Sequence, residues 1–171
     1  MDLSLISHLT NLKSLTISNA QISDLLFVSS LTNLTSLSLS SNALRDITPL
    51  SQLTGLTYLS LYYNQIDDIS PLAGLVNLES LDLSENQISD ISALSGLSNL
   101  SSLGISNNQI SDISPLSGLK TLQYLSLYDN QISDISPLSE LAALESLSIH
   151  ENPVTDWSPV AHVPYVWGGY E

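Results

Sequence analysis

The sequence predicts a solenoid, in which copies of one short unit stack on each other, and three observations support this fold class. A 22-residue block recurs without insertion, each copy contains a Leu-x-Leu or Leu-x-Ile segment, and Asn and Asp hold fixed positions in the copies. We predict a single domain, residues 1–171, with about seven 22-residue coils and a C-terminal capping segment at 153–171.

The repeated block is clearest as NQIDDISPLAGLVNLESLDLSE, which begins at Asn64, and close copies begin at Asn86, Asn108 and Asn130. Seven apolar positions recur in every copy, and the Leu-x-Leu segment fits a short strand, whose alternate side chains face opposite sides. A single unit buries too few apolar side chains to offset the entropy lost when it is ordered. Neighbouring copies must therefore stack and share one core.

Two polar columns have structural interpretations. An Asn side chain both donates and accepts, so the Asn column can pair backbone groups in the tight turn after each strand. The Asp column can cap a short helical turn through its carboxylates, at Asp2, Asp24, Asp46, Asp68, Asp90, Asp112, Asp134 and Asp156. Prolines suit the first turn, where a missing N–H costs little, at Pro49, Pro71, Pro115, Pro137 and Pro159. A calcium ladder is the alternative for the Asp column, but one carboxylate per coil supplies few of the roughly six to eight oxygens that calcium takes.

The pattern L-x-x-L-x-L-x-x-N-x-I-x-D-I-x-P-L, with NQISDISPL at Asn108–Leu116 and Asn130–Leu138, resembles the internalin-type class of bacterial leucine-rich repeats. The resemblance implies an α/β-type leucine-rich repeat solenoid, a right-handed superhelix with a parallel concave β-sheet and convex 3-10 or turn segments. It also implies ligands on the concave face and a place on bacterial surfaces, where such domains bind proteins. Eukaryotic phosphatase-regulatory repeats share the unit length but lack the recurrent Ser-Pro-Leu.

The repeat pattern loosens near the C-terminus, where Trp157 takes an Ile position and Gly169 falls where the strand Leu is expected. We expect Pro164 and the Gly168-Gly169 pair to end the strand ladder. The large apolar side chains are predicted to cover the last coil, with a ligand site as the alternative, at Trp157, Tyr165 and Trp167.

Residues between the core leucines of each strand are predicted to point outward on the concave face. Five of the seven tyrosines lie at such positions, in two groups about 14 to 15 Å apart across three coils. Tyrosines gathered on such a face favour protein binding, although tyrosine also simply suits strands. The predicted partner-binding residues are Tyr58, Tyr62, Tyr63, Asp82, Glu85, Tyr124, Tyr128, Asp129 and His150.

Charge and motifs narrow the possible partners and chemistry. Seventeen acidic residues face only Lys13, Arg45 and Lys120, and the net charge of −14 argues against nucleic acid. An acidic face favours a protein partner with a basic patch, or serves only to keep the solenoid soluble. The sequence lacks cysteine and known catalytic motifs, so we expect no enzyme activity, no cofactor and no metal. It also lacks an apolar run of about 20 residues, so we expect no membrane insertion. We further expect the protein to be a monomer.

These observations predict a non-catalytic protein-binding module with a tyrosine-rich, acidic concave surface, from an extracellular or bacterial cell-surface adhesion protein. One alternative is an intracellular scaffold or regulatory repeat protein. The near-identity of several copies favours another, an engineered array without a natural ligand. The sequence opens partway through a repeat, from which we expect a segment of a longer protein that lacks its targeting signal.

Overall fold

A computed structural model describes residues 3–168. Within that range eight parallel strands form a single sheet, and they follow one another in chain order. The strands, labelled β1 to β8, are Ser14–Thr16, Ser36–Ser38, Tyr58–Ser60, Ser80–Asp82, Ser102–Gly104, Tyr124–Ser126, Ser146–Ser148 and Tyr165–Trp167. A 3-10 turn precedes each strand, at Ser4–His8, Leu26–Val28, Thr48–Gln52, Ser70–Leu72, Ser92–Leu94, Ser114–Leu116, Ser136–Leu138 and Ser158–Val160.

The sheet stacks equivalent residues of successive units, so that Leu59 pairs with Leu37 on one side and with Leu81 on the other. These central strand residues point inward and are at most 1% exposed. The Leu and Ile columns of the turns pack on the same side of the sheet and complete one continuous core. The predicted α/β-type leucine-rich repeat solenoid is therefore confirmed.

The Asn column pairs backbone groups of adjacent coils, as predicted. Asn130 shows the arrangement most clearly, since it is 8% exposed. Its Nδ2 donates to the carbonyl oxygens of Ile105 and Leu127, each at 3.0 Å, and its Oδ1 accepts the N–H of Ile110 at 3.0 Å. Equivalent bonds are made by Asn42, Asn64, Asn86, Asn108 and Asn152.

The Asp column binds the start of the 3-10 turns, but one residue further out than predicted. In each case Oδ1 accepts the N–H two residues ahead, as in the 2.8 Å bond from Ser136 to Asp134. The residue at the N-cap position itself is the intervening one, which is Ile135 in this coil. Its side chain is buried in the core. The same bond occurs at Asp24, Asp46, Asp68, Asp90, Asp112 and Asp156, and Asp2 lies outside the described residues.

These bonds stabilise the charged carboxylate. The backbone N–H and then the hydroxyl of the residue two positions ahead lower the pKa below the ordinary value of 3.8 at Asp68, Asp112, Asp134 and Asp156. Prolines follow directly in the first turn of most coils, as predicted, at Pro49, Pro71, Pro115, Pro137 and Pro159.

The last coil departs from the predicted 22-residue spacing. Tyr165 pairs with Ser146, 19 positions earlier, whereas Ser146 pairs with Tyr124, 22 positions earlier. In the preceding coil two turns follow one another, closed by hydrogen bonds from the N–H groups of Leu141 and Leu144. In the last coil a single turn, closed by the N–H of Val163, leads directly into β8. The expectation that Pro164 ends the ladder is therefore wrong, while Gly169 lies outside the described residues.

The shorter last coil also changes the roles of its aromatic residues. Trp157 is half-buried and packs against the core, as expected for a covering residue. Tyr165 and Trp167 are 65% and 64% exposed, so the prediction that they cover the last coil is wrong. They occupy outward strand positions beside Ser146 and Ser148, while Val166 lies at the inward position.

Replacement of Asn130 should test the bonds between coils. The variant Asn130→Ala leaves three carbonyl groups and one N–H without this partner, so the free energy of unfolding should fall by about 3 kcal/mol or more. Urea denaturation would measure the change. The neighbouring exposed residue provides a control, Gln131→Ala, which should change stability by less than about 0.5 kcal/mol. Equal losses in the two variants would contradict the structural role of the Asn column.

The lowered pKa of Asp134 predicts a pH-dependent contribution to stability. A depressed folded-state pKa stabilises the protein above the unfolded value, near 3.8, and that contribution is lost as pH falls through the folded pKa. The variant Asp134→Asn keeps a neutral acceptor of the same size. Urea denaturation should therefore show the natural protein to be more stable than the variant at pH 6, with the difference shrinking as the pH falls below about 3.8 and through the folded pKa. A difference that is the same at both pH values would contradict this assignment.

Candidate partner-binding face

The outward strand positions form the candidate site because the inward positions are fully used by the core. Leu59 and Leu125 are buried, whereas the adjacent Tyr58 and Tyr124 are 41% and 50% exposed. Most other outward positions of β2 to β7 carry Ser, whose short side chain leaves the sheet surface low. The two tyrosines therefore stand above their surroundings.

An open depression of about 470 Å³ lies across β3 to β7, and both tyrosines are among the residues that line it. Tyr58 lies on β3 and Tyr124 on β6, and the hydroxyl of Tyr124 donates to Glu145 Oε2 over 3.4 Å. The floor is made of small or polar residues, among them Ser84 and Gly104. The structure thus joins one tyrosine from each predicted group at a single concavity, which we call the central depression.

Asp82 occupies the central depression and lies over Gly104 on the next strand. Its Oδ1 accepts the N–H of Ser84 at 3.0 Å, and the same oxygen lies 2.9 Å from the place where a Cβ on residue 104 would stand. The absence of a side chain on Gly104 is therefore what gives the carboxylate its space. The sequence predicted that Asp82 lies on the face, but not that its side chain leans across Gly104.

The other predicted aromatic residues form two groups beyond the C-terminal ends of the strands. Tyr62 and Tyr63 have ring centroids 6.0 Å apart with planes tilted by 37°. Tyr128 stacks on His150 with centroids 4.1 Å apart and planes 29° apart. These residues do not line the central depression, and neither do Glu85 and Asp129. The predicted aromatic residues therefore fall into three groups: those of the central depression, the pair Tyr62 and Tyr63, and the pair Tyr128 and His150.

The residue that ends each outward row has an unusual backbone conformation. Tyr63, Glu85 and Asp129 have φ of 55°, 58° and 52°, in the left-handed region that non-glycine residues rarely adopt. Asn19, Ser41, Asn107 and Glu151 adopt the same conformation in their own coils. The conformation turns the chain toward the Asn column, so its local cost is part of the repeat geometry.

Two exposed aromatic residues of the face were missed by the sequence analysis. Trp167 pairs with Ser148 and Tyr165 with Ser146, so both extend the outward rows onto β8. The 22-residue count placed them elsewhere, and only the shortened last coil brings them to this face.

Within residues 3–168 no group of three or more His, Asp or Glu side chains is placed to hold a metal ion. His8 lies in the first 3-10 turn, and His162 Nε2 lies 3.2 Å from the carbonyl oxygen of Leu141, both away from the concave face. In the same range no helix has the length and apolar character needed to cross a bilayer.

Comparison with known proteins identifies the family. The family model for leucine-rich repeats in pairs of copies matches residues 32–74, 76–118 and 120–162. The crystal structure of internalin C2 from Listeria monocytogenes is similar, with 42% sequence identity, a TM-score of 0.90, and coverage of 94% of this chain and 73% of that one. The chain belongs to the internalin-like leucine-rich repeat proteins.

Two further solved structures show how far the likeness of this internalin-like domain extends. Internalin F from Listeria monocytogenes is 36% identical, with a TM-score of 0.91, and the match covers 99% of this chain but 58% of internalin F. A leucine-rich repeat protein of Leptospira interrogans is 31% identical, with a TM-score of 0.86, and covers 94% of this chain and 44% of its own. No curated protein sequence shows a significant match.

The left-handed conformation of Glu85 leads to a stability prediction. Glycine adopts this conformation without steric cost, whereas any Cβ opposes it. The free energy of unfolding of the variant Glu85→Gly should therefore be about 1 kcal/mol higher than that of Glu85→Ala. Both variants lack the carboxylate, and they differ only by the methyl group of alanine. Urea denaturation of the two variants would measure this. If the alanine variant were as stable as the glycine variant or more so, the conformation would not carry the expected cost.

Proposed function

We propose that this domain is a non-catalytic protein-binding module whose concave face receives a polypeptide. The observation that carries this proposal is that the exposed Tyr58 and Tyr124 line one depression together with several serines, Asp82 and Gly104. Leucine-rich repeat solenoids in general use their extended concave surface for binding. Family membership supports the same function for this chain.

The chemistry of the face suits a protein partner. Tyrosine combines a large contact area with a hydroxyl group and loses little conformational entropy on binding. The core consists almost entirely of Leu, Ile and Val, so exposed tyrosines are not needed for folding. Tyr62 and Tyr63 at one end, and Tyr128 with His150 at the other, extend the contact area along the face.

The charge of the face favours a partner with a basic patch. Asp82, Glu85, Asp129 and Glu151 lie on or next to the outward rows. In contrast, Lys120 lies in a loop away from the sheet, where its Nζ is 3.2 Å from Glu140 Oε2. Opposite charges accelerate association and make it dependent on salt.

We place the module in an extracellular or bacterial cell-surface protein with a role in adhesion or recognition, acting as a monomer. The likeness to two Listeria internalins supports this location. The gene upstream of Met1 would test it, because a secretory signal is expected there. A full-length reading frame without such a signal would favour the intracellular alternative.

Binding through the concave face can be tested with photocross-linking and titration. A photoreactive amino acid would be placed at Ser102 on β5, and at Ser95 in a convex turn as the control. Surface proteins that cross-link to the photoreactive residue at position 102, and not to the one at position 95, would be purified. Their affinity for the domain would then be measured by titration. The variants Tyr58→Ala and Tyr124→Ala should each weaken binding about tenfold or more, because buried aromatic anchors dominate such interfaces.

A variant on the opposite side provides the matched control for this titration. Val76 is 46% exposed in a convex turn, so Val76→Ala should change the affinity by less than twofold. If Val76→Ala weakens binding as much as the tyrosine variants, or if the tyrosine variants bind normally, the concave face is not the binding surface.

A further inference from the structure

The carboxylate of Asp82 lines the central depression and is positioned by the neighbouring backbone. The N–H of Ser84 binds its Oδ1 at 3.0 Å, and Gly104 beside it provides open space on the neighbouring strand. A Cβ at residue 104 would lie 2.9 Å from that oxygen and 3.0 Å from Ser84 Oγ, both closer than ordinary contacts. Gly104 therefore positions the carboxylate over the floor.

The second carboxylate oxygen of Asp82 is left to accept from outside the protein. Within residues 3–168 the carboxylate makes one hydrogen bond, through Oδ1, and the ion pair found there is between Lys120 and Glu140, away from the sheet. The central depression thus contains a negative charge that its surroundings do not neutralise, in a chain of net charge −14.

Two aromatic side chains line the central depression. Tyr58 and Tyr124 stand on β3 and β6, three strand steps apart, or about 14 Å between their backbones. Tyrosine rings attract a cation over their faces and also pack against an apolar stem. A guanidinium group is planar, stacks on such rings, and donates in a fork that suits a carboxylate and nearby hydroxyl groups.

We propose that the central depression receives one arginine side chain of the partner polypeptide, with Asp82 as the residue that determines this specificity. The guanidinium donates to Asp82 Oδ2, its stem lies between the two tyrosines, and Gly104 acts as a positioning residue for the carboxylate. This inference rests on the proposed function and adds the chemistry of the group that is recognised.

The test uses a defined probe, the capped peptide Gly-Ser-Arg-Ser-Gly, with the same peptide carrying neutral citrulline in place of arginine. Binding to the whole domain would be followed by NMR through the backbone amides of Ser84, Gly104 and Ser126. The arginine peptide should shift these signals with a dissociation constant of about millimolar order, since a single side chain provides few contacts. The citrulline peptide should bind at least fivefold more weakly.

Variants separate a local contact from general attraction by the acidic face. Asp82→Asn keeps the acceptor for the N–H of Ser84, and should weaken arginine binding at least fivefold. Asp129→Asn removes the same charge outside the central depression, and should change it by less than twofold. Gly104→Ala should weaken binding by displacing the carboxylate, which is the flexible end of a side chain, and unchanged thermal midpoints would show that the variants fold.

Several results would overturn the proposal. These are equal binding of the arginine and citrulline peptides, equal effects of Asp82→Asn and Asp129→Asn, or no localised shifts up to about 20 mM peptide. The outcome is distinguishable from failure of the proposed function. A protein captured from Ser102 whose binding needs Tyr58 and Tyr124 would support the module even if the arginine peptide did not bind.

Discussion

The pairing of backbone groups between coils by the Asn column is the constraint on which the rest of this solenoid depends. A three-residue strand leaves N–H and carbonyl groups near each turn without a partner in the ladder, and such groups need another partner when they are buried. Each Asn bonds to its own and to the preceding coil: Asn130 accepts the N–H of Ile110 and donates to the carbonyl oxygens of Ile105, Leu127 and Tyr128. The coils are thereby held at one spacing.

A fixed spacing of coils has a direct effect on the concave face. The inward leucines and the Asn column anchor each strand, so the outward residues carry little of the folding energy. Tyr58, Asp82 and Tyr124 come from different coils, yet they lie on one rigid sheet and need no large rearrangement to act together. Such preorganisation lowers the entropy cost of binding.

Much of the fold could be predicted because its determinants repeat. The spacing of residues in the sequence predicts the period, the core columns, the Asn bonds and the contact of the Asp column with the turns. The last coil could not be predicted, because one Val, Val163, closes a turn where Leu141 and Leu144 close two. The lean of Asp82 over Gly104 also escaped prediction, since spacing assigns a face to a side chain but not its direction along that face.

The 19-residue last coil shows how a repeat protein changes its surface. When a coil is three residues shorter, every later residue occupies a different position in the repeat, while the strand pairing of the earlier coils is unchanged. Tyr165 and Trp167 lie on the sheet surface because of this shorter spacing. The length of a coil, and not only the residue types in it, therefore determines which side chains such an array exposes.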